Sequence, residues 1–198
     1  MSEIGKAIDQ CIGLQLGPVL KKEGFRKSGR TFHRSFDLGT QVVNIQANRW
    51  NQGGAGSFTV NLGIYFPDIH RLAEMIVPRA LPGEADCTLR QRLGILMPSG
   101  SDYWWELDPG SDLERVAAEV GAAWTRYGKP WLDRHSELEE AAKLSTAVPI
   151  VRMAIYLHLE RREEASSVLQ KELARKPDAN PAYTASLRTW ASENGIPT

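Results

Sequence analysis

Asn44, Gln46 and Asn48 alternate along one run of this chain, Asn61 lies in the next, and Arg90, Arg92, Trp104 and Glu106 follow in two more. These residue types can bind. Amides donate and accept hydrogen bonds, a guanidinium grips a planar anion through two parallel bonds, and an indole stacks on flat or apolar groups. An ordinary solvent-facing sheet would carry lysine, glutamate and threonine. This set is amide-rich and has no lysine, which suits a small polar ligand or the hot spot for a protein partner. Two plainer readings stand beside it. Helices could cover the set as a buried hydrogen-bonded network, or Arg90 and Arg92 could pair with Glu106 and Asp108 across neighbouring strands, worth under about 1 kcal/mol each.

Other chemistry is weaker. The chain contains no GxSxG, GxxxxGK[ST], HExxH or GxGxxG, the spacings that build nucleophile elbows, phosphate cradles and zinc sites. The glycine-rich run Asn51–Gly56 joins two apparent strands and lacks the lysine and helix of a phosphate cradle, so it reads as a flexible hairpin loop. His33, His70, His135 and His158 are scattered, with His70 and His135 expected at the surface. Cys11 and Cys87 are in no metal spacing. No cofactor and no metal are expected. A hydrolase or transferase would need Glu106 and Arg92 in one pocket on the sheet face. Basic residues interleave with Phe25 and Phe32 over 21–34, a pattern that can bind single-stranded nucleic acid.

The elements that must position these residues follow from periodicity. Ser2 caps a first helix whose stripe runs Ile4, Ile8, Cys11, Ile12, Leu16, Val19 and Leu20, with a kink or two abutting helices expected at Gly17-Pro18 and a stop at Gly24. From residue 31 the period becomes two. Phe32, Arg34 and Phe36 share a face, as do Val43, Ile45 and Ala47, and then Phe58, Val60, Leu62, Ile64 and Phe66. The opposite parity holds Asn44, Gln46, Asn48, Thr59, Asn61 and Tyr65. Residues 87–96 and 102–108 read as two further strands joined at Pro98-Ser-Gly. After Pro109 the pattern is helical, broken at Gly128 and Pro130, with helices over 136–144, 148–160, 163–175 and 181–194. Asn180 is the expected cap of the last.

The fold class is therefore α+β: an N-terminal helix, an antiparallel four- to five-stranded meander, then C-terminal helices. The expected domains are a sheet domain over 1–143 and a helical appendage over 144–198, packed on the first. The 198 residues are 42% apolar and 24% charged, with net charge zero, which fits a chain with a real core and argues against charge-driven nucleic-acid binding. Charge is uneven, with eight basic and four acidic residues over 1–50 against four basic and ten acidic over 100–140. The polar N-terminus, the short apolar runs and the two distant cysteines point to a cytoplasmic protein without a membrane span.

The runs LGPVLKKEGFRKSGRTFHR, QVVNIQANRWNQGGAGSFTVNLGIYFP, RQRLGIL and DYWWEL together resemble the bacterial domain of unknown function 4304 family, over roughly residues 10–130. The family carries no assigned activity, so the resemblance implies a bacterial source and an intact domain and supplies no catalytic residues. In the tail, Ala154–Leu159, Arg162–Ala165, Leu169, Leu173 and Pro177 look like a single tetratricopeptide-type helical pair, whereas such arrays need about three repeats. The leading expectation is a non-enzymatic interaction or ligand-binding module that uses the polar sheet face.

Overall fold

The computed structural model describes residues 2–78, 80–144, 146–175 and 181–197. The chain folds into two compact units, 1–66 with 78–133, and 67–77 with 134–198. The division falls ten residues before the expected boundary at 143. It also draws the 67–77 excursion into the second unit, because α3 (Pro67–Leu72) packs on α8 (Pro149–His158).

The first unit opens with α1 (Glu3–Leu14), capped by the Ser2 hydroxyl accepting from the Gly5 N–H, and α2 (Leu16–Lys22). The break falls at Gln15, three residues before Pro18. A proline ring collides with the carbonyl four residues back, here that of Leu14, so α1 ends there and Pro18 sits in the first turn of α2, where it is tolerated. Gly24 takes φ +89°, and the Gly24 and Phe25 N–H groups return to the Lys21 and Leu20 carbonyls. That left-handed closure ends the helix and turns the chain into the sheet.

The sheet is open, antiparallel and in meander order, β1 (Arg26–Ser28), β2 (Thr31–Phe36), β3 (Gly39–Ala47), β4 (Gly56–Tyr65), β5 (Leu89–Arg92), with β6 (Trp105–Leu107) also on β4. Three details differ from the sequence expectation. β1 is a fully exposed three-residue strand with no alternation to read. β5 and β6 do not pair with each other: β5 lies against Asn61–Ile64 and β6 against Gly56–Phe58, end to end along one edge of β4. A ten-residue strand has room for both. Between them the chain makes a short helix, α4 (Leu93–Leu96), where a continuous strand was expected. The run 51–56 is a hydrogen-bonded hairpin loop, closed by the Asn51 side chain, which accepts from the Ser57 N–H at 2.7 Å and donates to its carbonyl at 2.9 Å.

Parity gives the sheet two unlike faces. Phe32, Val43, Ile45, Phe58, Val60, Leu62, Ile64, Leu89 and Trp105 lie on one and are buried. Helices close over this face. Arg34 on it pairs with Asp133 of α6 (Lys129–His135) and stacks on Phe25, which meets Trp124 edge-on with ring centroids 5.8 Å apart. Buried stripes of α1 and of α5 (Leu113–Ala123) complete the layer. Gly128 and Pro130, expected to break the helix after Pro109, do not interrupt the helical path from α5 to α6. Five residues, Trp124–Gly128, wrap as a π turn, and the Lys129 N–H reaches back to the Trp124 carbonyl. The wider turn absorbs Pro130, which has no N–H to give.

The second unit holds α3, α7 (Leu138–Lys143), α8, α9 (Arg162–Arg175) and α10 (Pro181–Glu193). α8 and α9 form a helical hairpin that buries Val151, Ile155, Ala165 and Leu169. Asn180 and Pro177 lie outside the described residues. No described helix is long and apolar enough to cross a membrane.

Candidate functional site

The second sheet face, in the first unit, carries Thr31, His33, Val42, Asn44, Gln46, Thr59, Asn61, Gly63, Tyr65, Arg90 and Arg92 on its paired positions. It divides along the strands. At one end the connection over 82–88 crosses it. The Pro82 carbonyl lies 2.9 Å from His33 Nε2, and Cys87 packs with Val42 and Tyr65. Gly63 makes this possible, because a Cβ there would stand 2.4 Å from Cys87 Sγ. Burial raises the Cys87 thiol pKa far above its usual value, and Glu84 and Asp86 add to it, so this thiol is neutral and packed.

At the other end the face is open at Asn44 and Gln46 but covered at Thr59, which is buried and donates its hydroxyl to the Tyr103 carbonyl at 3.0 Å. Asn61, only 3% exposed, is the hub. Its Nδ2 donates to Gln46 Oε1 at 2.8 Å and to Asn44 Oδ1 at 3.4 Å, and its Oδ1 accepts from Arg92 Nε at 3.2 Å. Asn44 in turn donates to Thr31 Oγ1 at 2.9 Å. Arg92 also donates through Nη1 to Asp102 and lies over the Trp104 ring, 5.2 Å from its centroid. The Trp104 indole N–H donates to the same carboxylate at 3.2 Å. Desolvation would raise the Asp102 pKa, but the bonds from Arg92 and Trp104 and the Arg92 charge outweigh it and hold the carboxyl below its ordinary range. Arg92 is thus fixed on three sides. Among the described residues its Nη2 meets no acceptor, and exposed Gln46 keeps its Nε2 donors unspent. Both border a cavity of about 240 Å³ that Arg90 and Glu84 also line.

Of the eight residues read as a site, Asn44, Gln46, Asn61, Arg92 and Trp104 come together. Arg90 borders the cavity but pairs with Glu84, at 2.7 and 3.1 Å, and Arg92 pairs with Asp102; neither meets Glu106 or Asp108. Asn48 donates to Ser57 Oγ at 3.2 Å, and Glu106 stands opposite Ser57, so these two line a separate depression of about 350 Å³ beside Trp50. Ser57 and Asn61 are four residues apart on β4, about 13 Å along a strand, so the fold does not bring Glu106 to Arg92. Glu84 sits in a connection without periodicity, and Asp102, read as the first residue of a strand over 102–108, lies before β6 in the structure. His70, expected at the surface, is buried on α3 in the second unit.

An open antiparallel sheet with one helix-covered face and one amide-and-arginine face defines the class: an α+β domain with a polar platform. The chain belongs to the family described as Domain of unknown function (DUF4304), which matches residues 16–134. A search of the curated proteins and a search of the solved structures each found no match.

Proposed function

We infer that this protein is a non-catalytic binding module whose recognition element is the open half of the polar sheet face, and that it takes the acceptor-rich surface of a protein partner. The observation that carries this reading is the placement of Arg92. Asn61, Asp102 and Trp104 hold the guanidinium in one orientation, so little side-chain entropy remains to be lost on binding. Two groups without a partner among the described residues at this cavity, Arg92 Nη2 and Gln46 Nε2, are donors, and the Glu84 carboxylate beside them is taken by Arg90. A partner's carboxylate or backbone carbonyls would satisfy them, and the Trp104 ring, which lies against Arg92, would add apolar contact.

Affinity capture from lysate of the native host, with nuclease present, tests this using the wild-type chain and an Arg92→Ala/Trp104→Ala double variant. A stoichiometric protein held by the wild type and lost by a variant of unchanged thermal melt is the expected result. Undiminished capture by that variant would remove this face from the reading.

A further inference from the structure

We propose that β1 and the groove beside it form a second binding site, for an extended acidic peptide that adds to the sheet as a further strand. The strand order ends at β1, so this strand is paired on one side only and all three residues are exposed. Its register with β2 closes on Ser28 opposite Thr31, with Arg26 opposite His33. Antiparallel residues alternate between exchanging bonds with the neighbour and facing away. Arg26 and Ser28 therefore bond β2, and the N–H and C=O of Lys27 point to the open edge, where none of the described residues engages them. Such an edge is a template for a further strand.

The groove tells which peptide. A cavity of about 1000 Å³ lies between this edge and the start of α2, lined by Pro18, Lys21, Arg26 and Lys27 over a floor of Phe25 and Phe32. The lining includes three cations and no carboxylate. In the same basic stretch Arg30 is neutralised by Asp9 and Arg34 by Asp133, and Lys22 does not line the cavity. Lys21, Arg26 and Lys27 are exposed and form no ion pair among the described residues. Alternate side chains of an added strand would point to the two sides of the sheet, so a chain that alternates acidic and apolar residues can turn its carboxylates to the cavity side, toward the rim cations. A single-stranded nucleic acid would use the same cations but would need aromatic faces on which to stack. Phe25 and Phe32 are sealed in the core, at 3% and 2% exposure.

Fluorescence anisotropy with the full chain tests this, using a labelled Glu-Val alternating octapeptide, its Lys-Val counterpart, and an oligothymidylate of similar length. Saturable binding of the Glu-Val peptide alone, weakened by salt, is expected. Lys27→Pro removes the outward N–H at an edge position where proline is tolerated, and should weaken binding about tenfold or more. Should that variant misfold, a Glu-Val peptide N-methylated at alternate residues makes the same test from the ligand side and should lose binding in one of its two methylation registers. No binding of the Glu-Val peptide, equal binding of the oligothymidylate, or indifference to both N-methylated registers would overturn the proposal.

Discussion

On one face of one sheet, the half built on Val42, Gly63 and Tyr65 is sealed by a crossing segment, and the half built on Asn44, Gln46 and Asn61 is left open. The strands are the same and the parity is the same. What differs is side-chain volume and hydrogen-bonding capacity. Where β4 offers a glycine, Cys87 drops against the backbone. Two residues earlier β4 offers Asn61, whose polar atoms are met by neighbours within the sheet. The amides thus stabilise one another and leave their outer edge to solvent, which is what a preformed binding surface requires.

The sharpest way to break that comparison is Gly63→Val. A side chain there must displace Cys87, and the expected cost is about 1–3 kcal/mol by urea denaturation. A cost below about 0.5 kcal/mol would mean the crossing segment is not seated on that glycine. Next is Asn61→Ala, which strands Arg92 Nε and Gln46 Oε1 in a partly hydrated setting. A loss of about 1 kcal/mol is expected, and combining it with Arg92→Ala should give less than the sum of the two single losses. The smallest effect concerns protons. Because the Asp102 carboxyl is held below its ordinary range, its contribution is fully present above the unfolded value and is lost as pH falls through the lower folded value. The Trp104 indole N–H resonance should therefore stay fixed from neutrality down to about pH 4 and move only below it. Movement between about pH 5 and pH 7 would contradict the Asp102 contact.

Strict alternation made the two faces legible in the sequence, and with them the grouping of Asn44, Gln46 and Asn61. It also gave the meander, because the links between β2, β3 and β4 are short. It could not give Glu84, which lies in a connection without a period, and it made Asp102 only the start of a strand; these residues decide where the two arginines point. Nor could it show that β5 and β6 share an edge of β4. Both are too short for their pattern to fix a neighbour, and Glu106 was accordingly expected nearer Arg92 than it lies. The division at 133/134 was hidden for a related reason: 67–77 follows the strongest strand of the chain but packs with helices some eighty residues on.

The π turn at Trp124–Gly128 lets one extra residue enter a continuous helical path. A π turn holds one residue more than an α turn, so five residues here bring the chain round about as far as four α-helical residues at about 100° each. α6 therefore keeps the phase that turns Asp133 and the Leu132 carbonyl toward Arg34 and Gln41. Deleting one residue within 124–128 would let the segment rewind as ordinary helix and leave that phase nearly unchanged. An inserted residue has no second wide turn to take it up and would swing α6 by about 100°. This stretch is therefore more tolerant of losing a residue than of gaining one.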